Sequence, residues 1–138
     1  MTDYLLDTNA CIALNKGTPA PVRARFNDAV RSGAQMWVST MVLFELWYGV
    51  MKSARPKENA EDLQVFLGGP VRLLSFEAGD AREAGNVRAA PERVGRPIGA
   101  YDLLIAGQAL SRGLTLVTAN TKEFARVKGL KWEDWGKG

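Results

Sequence analysis

Short apolar runs alternate along the chain with longer segments whose apolar residues recur at helical spacing. Residues 4–6 predict a short strand. Asp7 or Thr8 then stands as the N-cap of a helix carrying Ala10, Ile12, Ala13 and Leu14, which Lys16-Gly17-Thr18-Pro19 breaks. A second helix is predicted over about 21–31, before Ser32-Gly33. Residues 35–38 predict the next strand, with Ser39 and Thr40 capping a helix through Trp47. Beyond Arg55-Pro56, Ala60, Leu63 and Phe66 share one side of an amphipathic helix that ends at Gly68-Gly69-Pro70. A third strand is expected at 71–74. A long alanine-bearing helix follows from about Glu77 to near Pro91 or Gly95. Another starts after Pro97 and runs to Ser111, stopped by Gly113. The β-branched, apolar run 114–118 is the clearest strand, and a helical turn at 122–124 and a strand near 130–132 complete the pattern.

Strands separated by helices imply parallel pairing. The expected fold is α/β: a central parallel sheet of about four to five strands with helices on both faces, in a single domain spanning 1–138. In such sheets ligands bind beyond the carboxyl ends of the strands, so chemistry is sought just after strands or in the first turns of the helices that follow.

Composition narrows that chemistry. At 138 residues, 46% hydrophobic and 24% charged, the chain has the profile of one globular domain. No apolar run approaches the roughly 20 residues that span a bilayer, and the start, Met1-Thr2-Asp3-Tyr4, lacks a basic leader segment; a cytoplasmic protein with no membrane partner is expected. The lone Cys11 excludes an intramolecular disulfide and is expected in the core. Histidine is absent, which excludes Ser-His-Asp and Cys-His catalysis and any imidazole-bound zinc. Catalysis must come from carboxylates, hydroxyls, lysine or a bound metal. The net charge of +3 permits nucleic-acid binding without establishing it, because the basic residues are dispersed along the chain.

Three carboxylates stand alone in apolar surroundings. Asp7 is the only charge in the run 4–12, Glu45 in 41–48 and Asp102 in 98–106. Helical spacing places Asp102 on the face of Ile98, Ile105 and Ala109, where core is expected. An ionised carboxylate removed from water without a partner costs several kcal/mol or more. Singly, each has an ordinary explanation as a cap or the partner of a distant arginine. Jointly, three such groups near strand ends are better explained by one shared cation. Oxygen-only ligands favour Mg2+ or Mn2+, which activate water for phosphodiester hydrolysis. The stretch 115–124 reaches the same sheet edge. Thr118 and Asn120 can hydrogen-bond a carboxylate or a water, and Glu123 offers a further carboxylate, although spacing alone leaves Asn120 as a turn residue and Glu123 as a solvated charge.

Leu6-Asp7-Thr8-Asn9, residues 39–49 around Phe44-Glu45-Leu46, Gly99-Ala100-Tyr101-Asp102 with Ile105-Ala106, Val117-Thr118-Ala119-Asn120-Thr121 with Glu123-Phe124, and the ending from Gly129-Leu130 to Glu133-Asp134-Trp135 resemble, in order and over nearly the whole chain, the PIN-domain nucleases, specifically VapC-type toxins of prokaryotic toxin–antitoxin pairs. The resemblance implies a Mg2+- or Mn2+-dependent endoribonuclease. Asp7 and Asp102 would be the principal metal ligands, Glu45 would complete the acidic site through water, and Thr8 would support the first carboxylate. Many PIN domains carry a further Asp where this chain has Asn120; Glu123 resembles the acidic position of the VapC branch. The resemblance also implies a homodimer and a VapB-like antitoxin whose tail covers the site. RNA, with transfer RNA as one option, is the implied substrate, and DNA is reached only through the antitoxin. Two other readings stay open: a catalytically silent PIN-like subunit that binds RNA or a partner, motivated by Asn120, and a phosphoacceptor domain with Asp7 as nucleophile, disfavoured because Asp7-Thr8-Asn9 lacks a second Asp.

Overall fold

The computed structural model describes residues 2–93 and 95–137. In chain order the elements are β1 (Tyr4–Leu6), α1 (Thr8–Lys16), α2 (Ala20–Arg31), β2 (Met36–Ser39), α3 (Thr40–Met51), α4 (Pro56–Leu67), β3 (Arg72–Leu74), α5 (Ala78–Arg93), α6 (Ala100–Arg112), β4 (Thr115–Val117), α7 (Thr121–Phe124) and β5 (Trp132–Glu133). The strands form one sheet in the order β3-β2-β1-β4-β5, every pair parallel. This is the expected α/β architecture at the upper strand number.

The order of the strands determines where the helices lie. From β1 the chain moves through β2 to β3 on one side, then returns to place β4 and β5 on the other. Right-handed crossovers then put α1–α4 on one face and α5–α7 on the opposite one. The packing agrees: α1 touches α2, α3 and α4, while α5 and α7 pack on α6. The central strands are covered on both faces, with Leu5, Leu6, Val38 and Leu116 fully buried, while the edge strands β3 and β5 leave Leu73 and Trp132 exposed. Cys11 lies in this core, as expected.

The connections leaving β1 and β4 run in opposite directions, so the crevice beyond their carboxyl ends is the topological switch point where α/β sheets bind ligands. In the β1–β4 register Leu6 faces Val117, which puts Asp7 beside Thr118.

Several boundaries differ from expectation. The strand β2 is shifted by one residue, and α3 continues past Trp47 to Met51 because Val50 is buried beneath its last turn. The α6 helix begins at Ala100, after Pro97 as expected, but without the Ile98 that helical spacing put on its face. Ile98 is buried ahead of the helix, and Gly99, in extended conformation, is the N-cap. Asp102 therefore sits in the first turn of α6 and is half-buried at the rim rather than pointing into the core. The last strand lies at Trp132–Glu133 instead of 130–132, where it pairs with Leu116 and Val117.

Candidate active site

Asp7 ends β1 and begins α1. Its backbone N–H is bonded to Val117 O at 3.1 Å, which fixes it on the neighbouring strand. Its Oδ1 accepts from Ala10 N at 2.8 Å, so the carboxylate caps α1 while only 9% of the residue is exposed. Burial pushes its pKa up to about 6, with smaller upward contributions from Asp102 and Glu45; the Thr118 hydroxyl and the Ala10 N–H act in the opposite sense. Asp102 is also raised, first by burial and then by the charges of Glu123 and Glu45, while Asn120 lowers it. These mutual influences place Asp7, Glu45, Asp102 and Glu123 in one electrostatic neighbourhood, contributed by four separate elements.

Each carboxylate is held by a neutral donor. The Thr8 hydroxyl donates to Glu45 Oε1 at 2.7 Å, joining α1 to α3. The Asn120 side-chain amide donates to Asp102 Oδ2 at 3.1 Å, and its backbone N–H donates to Thr118 Oγ1 at 3.0 Å. Thr8 was expected to support Asp7. The structure gives that position to the fully buried Thr118 and turns Thr8 towards Glu45, because the first residue of α1 faces α3. Glu123 differs from the other three acids: it accepts from Gly99 N at 3.4 Å and pairs with Arg126 at 3.5 Å. Arg126 also donates to the Arg96 carbonyl, and no motif in the sequence marks it. Its only signal was the i,i+3 spacing from Glu123 on a helical turn.

Among the described residues no Lys or Arg forms an ion pair with Asp7, Glu45 or Asp102, and no group of three or more acidic side chains or cysteines makes a cage able to hold a metal by itself. The donors are all oxygen. That set fits a hard, hydrated cation such as Mg2+, which is usually held by one or two carboxylates, waters and substrate phosphates rather than by an all-protein shell. Asp7 and Asp102 share one electrostatic neighbourhood, and Glu45 is held by Thr8.

A parallel sheet with an acidic, oxygen-only site at its switch point fits a PIN-type domain, and the PIN-domain profile matches residues 4–130. The chain belongs to the PIN-domain family. Within it, relatives matched over nearly their full length include VapC proteins. The chain is 44% identical over 135 residues to the tRNA(fMet)-specific endonuclease VapC of Shigella flexneri, covering 98% of this chain and 99% of the relative. It is 37% identical over 135 residues to Ribonuclease VapC2 of Haemophilus influenzae, with the same coverage. Its fold matches VapBC2 from Rickettsia felis bound to a DNA fragment from their promoter, with TM-score 0.90, 34% identity and coverage of 97% and 99% of the two chains.

No helix among the described residues is long and apolar enough to cross a membrane.

Proposed function

We propose that this chain is the toxin of a toxin–antitoxin pair, an endoribonuclease that hydrolyses RNA phosphodiester bonds with Mg2+ or Mn2+ at Asp7 and Asp102. The observation that carries the reading is the cluster of Asp7, Glu45 and Asp102, without cationic partners among the described residues, at the sheet's switch point of a chain similar end to end to VapC ribonucleases. The bound cation would supply positive charge for the phosphate oxygens and acidify the attacking water.

The chain's own residues do the rest. Asp7, anchored by the α1 amide and by Thr118, offers a carboxylate whose orientation is already set. Asp102 is oriented by Asn120. Glu45, steadied by Thr8, would hydrogen-bond the attacking water and take its proton. Glu123 is committed to Arg126 and Gly99 and shapes the field at Asp102. Asn120 supports an ionised Asp102, which speaks against a catalytically silent subunit.

Transfer RNA is the substrate class we favour, with the initiator species the first to test, because a full-length relative is named for it. A VapB-type antitoxin partner, a homodimer, DNA contact through that antitoxin alone and a cytoplasmic setting complete the proposal; the VapBC structure on promoter DNA supports the antitoxin part. The test is cleavage of transfer RNA by the purified chain with Mg2+ or Mn2+, beside Asp7→Asn and Asp102→Asn. Cleavage that survives EDTA, or that persists in either folded variant, overturns the assignment.

A further inference from the structure

The residue immediately before each of two site carboxylates is a large, exposed aromatic. Phe44 precedes Glu45 on α3, and Tyr101 precedes Asp102 on α6. The two rings meet across the helices with centroids 6.2 Å apart and planes inclined by 29°. They remain 56% and 43% exposed. Two aromatic side chains left this open beside an acidic site are not serving the core.

The pair borders a cleft of about 450 Å3 whose lining includes Thr8, Glu45, Tyr48 and Lys52. Tyr48 is 59% exposed, and Lys52 Nζ lies 4.9 Å above its ring. Among the described residues no carboxylate pairs with Lys52. One concave surface thus carries flat π-faces, an available cation and the Glu45 carboxylate. Single-stranded RNA is recognised by this combination: bases stack on aromatic rings while cations take the phosphates. The antitoxin tail is the alternative occupant, and the Lys52 cation beside open aromatic faces favours a nucleic acid over it.

We propose that Phe44 and Tyr101, backed by Tyr48 and Lys52, form a nucleobase-stacking subsite that seats an unpaired nucleotide of the RNA next to the phosphodiester being cut. This rests on the nuclease reading and extends it: a base must leave its own stack to occupy the subsite, so loops and unpaired segments are cut and continuous duplex is not.

The experiment measures binding without cleavage. A short single-stranded RNA containing 2-aminopurine is titrated with the protein at low salt in EDTA, and light scattering reports the oligomeric mass at the same concentration. Wild-type protein is expected to quench the 2-aminopurine. Phe44→Ala and Tyr101→Ala should each weaken binding about tenfold, and Phe44→Trp should retain it. Lys52→Gln should flatten the slope of log affinity against log salt by about 0.7. Alanine variants that bind as tightly as wild type overturn the proposal. So does a loss of binding that coincides with a change in oligomeric mass, which would make this face a contact between copies of the chain. Failure of the nuclease reading appears separately, as absent cleavage by wild-type protein with Mg2+ or Mn2+.

Discussion

Asn120 donates its side-chain amide to Asp102 Oδ2 at 3.1 Å, tying the loop after β4 to the first turn of α6. Its backbone N–H reaches Thr118, whose hydroxyl in turn acts on Asp7. The two principal carboxylates are thereby joined through neutral donors, and a carboxylate at 120 would oppose Asp102 where the amide supports it. Asn120→Ala removes a bond that lowers the Asp102 pKa, so that pKa rises further. Cleavage should fall about tenfold near neutral pH, in line with the roughly 1.5 kcal/mol of a hydrogen bond to a charged group. The acid limb of the pH–rate profile should move to higher pH. Asn120→Asp should move it further, because it adds a like charge as well as removing the donor. A profile unchanged in both variants would remove Asn120 from the site.

Asp7 makes the fold less stable for the sake of its charge. Its pKa is raised from 3.8 to about 6, so between those values the folded chain holds a proton that the unfolded chain has released. Wild-type stability without metal should therefore fall as pH rises through this window and stay low above it. Asp7→Asn keeps an acceptor for the Ala10 N–H and removes the charge. In EDTA at pH 7 it should be more stable than wild type by roughly 1–3 kcal/mol, the upper figure following from about two pKa units. Thermal melts should show this as a gain of several degrees. Added Mg2+ should stabilise wild type and leave Asp7→Asn unmoved, while RNA cleavage is abolished in the variant. An Asn variant that melts below wild type at pH 7 in EDTA would contradict this account of the burial.

The parts of the fold that are legible in the sequence are those governed by local chemistry. The Asp7 cap, the Gly17 stop and the β-branched β4 depend on neighbours in sequence and lie where expected. The exact start of α6 is not legible, because its N-cap is Gly99, with no side chain to announce it, and because Ile98 is buried ahead of the helix by tertiary packing. The site divides in the same way. Asp7, Glu45 and Asp102 were visible as lone charges in apolar runs. Their partners were not, because the Thr8–Glu45 bond depends on how α1 packs on α3, and the Phe44–Tyr101 contact on how α3 meets α6.

Glu123 acts on Asp102 through charge, and its own oxygens are taken by Gly99 and Arg126. Glu123→Gln removes the largest charge contribution that raises Asp102. The Asp102 pKa should fall, and the acid limb of activity should move to lower pH, opposite in sign to Asn120→Ala. The neutral amide still presents an oxygen to Gly99, so stability should change by less than about 1 kcal/mol, as for other exposed pairs. Arg126→Ala leaves Glu123 charged without its partner and should move the limb upward. Parallel pH–rate profiles of the two variants decide the matter; shifts of the same sign would show that Glu123 acts by contact rather than by its field.

The placement of α6, and with it Asp102, depends on a close approach to α5. A Cβ on Gly107 would stand 2.5–2.7 Å from the N, Cα and Cβ of Ala84, two of them backbone atoms that cannot turn aside. Helix propensity alone favours alanine over glycine by about 1 kcal/mol, so the sign of Gly107→Ala depends on the clash. Separating two packed helices costs about 1–3 kcal/mol beyond that preference. Gly107→Ala should therefore lower Tm by several degrees, and RNA cleavage should fall with it as α6 is displaced. Gly85 provides the control. It lies on α5, next to Ala84, but a Cβ there meets nothing within 4 Å, so Gly85→Ala should be neutral or stabilising by up to about 1 kcal/mol. Thermal melts of the pair read the answer directly: equal effects from the two substitutions would mean that α5 and α6 yield to one another, and that Asp102 is positioned by its own turn and by Asn120 alone.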